Sequence, residues 1–226
     1  MTFNHNAVDK ILTAIFPLPE EFGLDNNTEP INFKLIQNQI KTVDACAYIN
    51  FGVSKMVIIS PSFNNVVIKI PFNGEFDEYA EWLPFEWANG SSSSDYCLTE
   101  YEKYCRLKTY GLDCFVAKTI KYKTIDNVRI FIQEKVIPEE DTCFSNFIPS
   151  LKSKKLAQKW QEEGQSIFDT LWFANCLDKY GQSKVQRFLY YCNNIDLDIL
   201  EDTHEGNYGY RENGTPVILD YSNFSH

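Results

Sequence analysis

Apolar residues at Val8, Ile11, Leu12 and Ile15 recur at the spacing of one helix face and predict a short helix near the start of the chain. Pro17 and Pro19 stop it, and a polar stretch over residues 23–29 follows. From about Val43 the pattern turns to strand. Residues 45–51 and 55–60 are β-prone runs joined across Gly52-Val53-Ser54, which predicts a hairpin. After a turn at 61–65 a third strand runs from Val66 to Pro71, β-branched up to Ile70 except for Lys69. Residues 72–94 read as irregular and aromatic, with Trp82 and Trp87. The serine run at 91–94 reads as a flexible link able to cap a helix.

Residues 95–108 carry Leu98, Tyr101, Tyr104, Cys105 and Leu107 at helical spacing, with Gly111 as the C-terminal stop. Two further strands are predicted at 114–124 and 128–136, parted by a turn at Asp126-Asn127. Beyond Pro138 the period becomes helical. Ile167, Leu171 and Asn175 interleave with Phe168, Trp172 and Cys176, and Val185, Phe188, Leu189 and Cys192 mark a second helix. Over residues 195–200 Asp196 and Asp198 alternate with Ile195, Leu197 and Ile199, which predicts a short strand with the acids on its outer face. The expected organisation is an N-terminal extension at 1–42, a strand-rich part at 43–137 and a mostly helical part at 138–226.

Composition narrows the classes. A chain of 226 residues, 44% hydrophobic and 15% aromatic, has enough apolar surface to build a core. Its formal net charge of −10 argues against nucleic-acid binding, which needs a basic face, but leaves room for a local nucleotide site. Seven cysteines show no C-x-x-C pair and no zinc-ligand spacing. Their odd number, with no signal-peptide pattern and no apolar run long enough for a membrane span, predicts reduced thiols in a cytoplasmic protein.

The densest chemistry lies near the C-terminus. Asp202-Thr203-His204-Glu205-Gly206-Asn207 is followed by a turn at Asn213-Gly214, and the apolar run Val217-Ile218-Leu219 ends at Asp220. Two acids and an amide gathered by one hairpin suit phosphoryl transfer, which needs a carboxylate on the acceptor hydroxyl and oxygen ligands for Mg²⁺. The D-x-H-x-G-N pattern with its hairpin and terminal Asp resembles the catalytic region of aminoglycoside phosphotransferases and choline kinases. More distantly it is similar to the protein-kinase superfamily.

That resemblance implies an α+β, two-lobed kinase-like fold. Its N-lobe would be a five-stranded antiparallel sheet with one helix, and its C-lobe reduced and mostly helical. ATP and Mg²⁺ would lie between the lobes. Asp202 would be the catalytic base, and Asn207 and Asp220 the metal ligands. Lys69 would contact phosphates, paired with an acid on the helix at 95–108. Glu100 is preferred there over Glu102, because Tyr104 and Leu107 at +4 and +7 place it beside the buried face. Gly52 would lie over the phosphates, and the backbone of Glu134 and Val136 would meet the adenine. The pattern departs from protein kinases in its single loop glycine, in Leu200 and Ser222 at the expected histidine and glycine, and in the six residues after Asp220. The last implies a missing activation segment and acceptor platform.

His204 reads as a loop organiser and Trp160 and Trp172 as core. Three functions follow: an active small phosphotransferase, a pseudokinase-type module acting through a protein partner, and a fold that works by surface mimicry alone.

Overall fold

The computed structural model describes residues 1–16, 31–52, 54–76, 82–87, 95–139, 147–200, 204 and 206–221. The polar stretch at 23–29, the serine run at 91–94 and Asp202 lie outside them. The chain is a mixed α+β protein that divides into two compact units, Met1–Tyr101 with Thr119–Glu134, and Glu102–Lys118 with Lys135–His226.

The first unit is built on an antiparallel sheet. Five strands follow one path, β1 (Tyr48–Phe51), β2 (Lys55–Ile59), β3 (Val66–Phe76), β6 (Val128–Glu134) and β5 (Thr119–Ile125). A sixth, β4 (Trp82–Trp87), pairs with the distal half of β3. The irregular segment expected at 72–94 is thus corrected: β3 runs on to Phe76 and β4 follows. Asn73-Gly74 reads locally as a stop, yet the ladder crosses it with a register shift.

Alternation sorts the sheet faces. Met56, Ile58, Ile68, Ile70 and Ile132 join Val8, Ile11, Leu12 and Ile15 of α1 (His5–Ile15) and Ile36 and Ile40 of α2 (Phe33–Val43) in one apolar core. The apolar face of α1 is the one its sequence predicts. Both helices are N-capped by asparagine, Asn4 accepting from the Ala7 N–H and Asn32 from the Leu35 N–H. Residues 1–16 and 31–43 therefore share the core of the sheet. The remaining residues of β2, β3 and β6 send Lys55, Lys69 and Gln133 to the other face, where all three meet Glu100 of α3 (Tyr96–Thr109).

In the second unit α4 (Leu151–Glu162), α5 (Thr170–Tyr180) and α6 (Gln182–Asn194) pack with the three-stranded sheet of β7 (Ile137–Pro138), β8 (Tyr208–Tyr210) and β9 (Pro216–Ile218). Trp172, Phe173, Phe188 and Tyr191 fill the core, and Tyr104 and Leu107 of α3 belong to it. Gly111, at φ +67°, ends α3 as its sequence position predicts. β9 is tied to residues 116–117, where the Ala117 N–H donates to the Ile218 carbonyl at 2.8 Å.

The strand expected at 195–200 is a 3₁₀ turn, Leu197–Leu200, and Asp196 is not on an outer face. It is 6% exposed and lies between Lys103 (Nζ–Oδ1 3.7 Å) and Arg106 (3.3 Å). An alternating pattern over six residues does not distinguish an outward acid from one turned inward to a distant lysine.

Candidate functional site

Lys69 sits in the first half of β3, 5% exposed, between the apolar Ile68 and Ile70. A buried ammonium needs a compensating charge, and Glu100 supplies it. Lys69 Nζ lies 3.0 Å from Oε1 and 2.9 Å from Oε2 of Glu100, whose own exposure is zero. Glu102 is exposed, so helix geometry presents Glu100 rather than its neighbour to the sheet.

Further side chains join this cluster. Lys55, at the start of β2, donates to Glu100 Oε1 at 2.7 Å. Gln133 of β6 donates to Glu100 Oε2 at 3.3 Å and to the Thr119 hydroxyl at 3.0 Å. Asp95 caps α3 by accepting from the Leu98 N–H at 2.9 Å and is held by Arg129 at 2.9 Å. These bonds fix the first turn of α3 and so the position of Glu100. Cys97 is fully enclosed beside the group; burial pushes its thiol pKa up, and the Glu100 carboxylate adds to the rise.

Gly52 is exposed and closes the β1–β2 turn, its N–H donating to the Lys55 carbonyl at 3.2 Å. Glu134 ends β6 opposite Val66 and is half-buried. Val136 is buried, in the second unit, against Ala117 and Val217.

The hairpin at the end of the second unit draws two candidate residues together. The Asn207 carbonyl accepts from the N–H groups of Leu219 at 2.8 Å and Asp220 at 3.2 Å. Asn207 is buried and Asp220 half-buried. The turn is closed by Gly214 at φ +74°, a conformation that suits glycine. His204 is exposed and organises the approach: its Nδ1 accepts from the Gly206 N–H at 3.1 Å and its carbonyl from the Asn207 N–H at 2.8 Å.

Among the described residues no group of three His, Cys, Asp or Glu side chains forms a metal cage. Mg²⁺ rarely uses one, since it keeps waters and takes one or two protein oxygens plus phosphate. The main chains of Asn207 and Asp220 are joined by a hydrogen bond, and their side chains, an amide and a carboxylate, are oxygen donors of the types that set uses.

Sequence reasoning overlooked Lys55. Spacing along the sequence does not announce it: Lys55 shares the Lys69 face because β2 pairs with β3 so that Val57, two residues on, lies opposite Lys69.

No protein-family model matches this sequence, and a search of curated proteins finds no match either. No described helix is long and apolar enough to cross a membrane.

Proposed function

We propose that this chain is a kinase-like protein that binds ATP with Mg²⁺ and moves the γ-phosphoryl group to a hydroxyl acceptor. The observation that carries the reading is the buried pair of Lys69 and Glu100, a strand lysine and a helix carboxylate enclosed together at 2.9 Å. An enclosed lysine oriented by a carboxylate is suited to hold a phosphate as a point charge. In this reading Asn207 and Asp220 hold the metal, which neutralises charge on the phosphates. Asp202 would orient the acceptor hydroxyl and take its proton as the bond from that oxygen to the γ-phosphorus forms and the bond from the γ-phosphorus to the β–γ bridging oxygen breaks, releasing ADP. Gly52 and the backbone of Glu134 and Val136 keep the nucleotide-contact roles that the resemblance implies.

The test is thermal unfolding with and without ATP and Mg²⁺. A ligand at about a hundred times its Kd stabilises by about 2.7 kcal/mol. A shift that needs Mg²⁺ and disappears in Asp220→Ala supports the reading, and no shift at millimolar nucleotide rejects it. Asp202→Ala is expected to keep the shift and lose transfer; normal transfer in that variant would remove Asp202 from the mechanism.

A second reading, a pseudokinase-type module acting through a protein partner, is favoured by the terminal strand β1. Tyr48 and Phe51 are 50% and 54% exposed there, and aromatic side chains on an edge suit protein contact.

A further inference from the structure

We propose that Lys55 is a second phosphate-binding cation, acting beside Lys69 on one polyphosphate; this rests on the nucleotide reading above. Lys55 opens β2 directly after the Gly52 turn, and Lys69 lies on the adjacent strand with its side chain on the same face. Both ammonium groups bind one oxygen, Glu100 Oε1, at 2.7 and 3.0 Å, so they are held side by side.

Each lysine is about as deeply enclosed as the other, at 6% and 5% exposure. An enclosed pair of lysines is costly to build for packing alone, because each ammonium must be taken out of water. Lys69 by itself meets both oxygens of Glu100.

An ammonium has three donors, so each lysine can keep one on Glu100 and turn another to a ligand oxygen. A polyphosphate carries anionic groups in succession, and two neighbouring cations match two of them where one would match a single phosphate. The inferred ligand class is a di- or triphosphate, Lys55 and Lys69 each taking a different phosphate group. Lys69→Met is then expected to keep residual affinity through Lys55, with loss complete only in the double variant.

The experiment measures Kd by calorimetry for Mg·ATP and for inorganic tripolyphosphate, on the wild type, Lys55→Met, Lys69→Met and the double variant. Lys55→Met is expected to weaken both ligands by about ten-fold, the scale of one charge-assisted hydrogen bond. Lys55→Arg is expected to restore most of that loss. If Lys55→Met lacks native circular dichroism, Lys55→Gln, which retains a donor for Glu100, carries the comparison. Unchanged Kd in the Lys55 variants, whatever their melting temperature, overturns the proposal and leaves Lys55 a support for Glu100. Tripolyphosphate binding that depends on Lys55, with ATP binding no tighter, upholds Lys55 and sinks the nucleotide reading. Binding of ATP that depends on Lys69 but not Lys55 does the reverse.

Discussion

Gly209 packs its α-carbon directly against the backbone of Ile137. A Cβ built there would overlap the Ile137 carbonyl oxygen and lie 2.8 Å from the Pro138 Cα. The contact lets β7 pair with β8, which continues from Asn207. Backbone cannot yield as a side-chain tip can.

Gly209→Ala is therefore expected to destabilise the protein by about 1–3 kcal/mol or more, through overpacking against main chain. Gly52→Ala is the control, since a Cβ there meets nothing within 4 Å among the described residues. Urea denaturation of the two variants checks this; equal midpoints would mean that β7 yields.

Removing the Asp196 carboxylate strands a buried cation. Lys103 is 6% exposed, and among the described residues its Nζ makes no hydrogen bond, so Asp196 at 3.7 Å is its compensating charge. Asp196→Ala is expected to cost about 3–5 kcal/mol, and adding Lys103→Met to recover much of it. A double-mutant cycle in urea measures the coupling; additive losses would show that the pair is not coupled.

Two glutamates on α3, two positions apart, are expected to differ sharply. Glu100→Gln leaves Lys55 and Lys69 enclosed against a neutral amide and is expected to cost on the order of 3 kcal/mol. Glu102→Gln, at an exposed position, is expected to stay within about 0.5 kcal/mol. Chemical unfolding of both variants decides it.

Part of the acid sensitivity is expected to come from Asp44. The Ser60 hydroxyl donates to its carboxylate, with further bonds from Ser62 and the Cys46 N–H, and together they outweigh partial burial and lower its pKa below the ordinary 3.8. A carboxyl with a depressed folded pKa adds stability above its unfolded value and loses it as pH falls through the folded one. Asp44→Asn is expected to be less stable than the wild type at pH 6, with the gap closing below about pH 3.8. Urea midpoints across that range measure it, and a gap independent of pH would assign the loss to packing.

Periodicity alone determined much of this chain. The apolar face of α1, the β1–β2 hairpin, the run of β3 around Lys69, and helices α3, α5 and α6 all follow from residue spacing, because their local preference and their burial agree. Glu100 could be separated from Glu102 because helix geometry fixes which side of α3 faces inward. The Asn207–Asp220 hairpin was legible from its turn residues. Tertiary structure decided the rest. β4 forms because β3 offers it a ladder; the aromatic residues of 82–87 favour strand, but Pro84 speaks against one locally. Asp196 turns inward because Lys103, 93 positions away in sequence, needs its charge. Lys55 joins Glu100 through strand register, a relation between chain segments that sequence spacing along one strand does not contain.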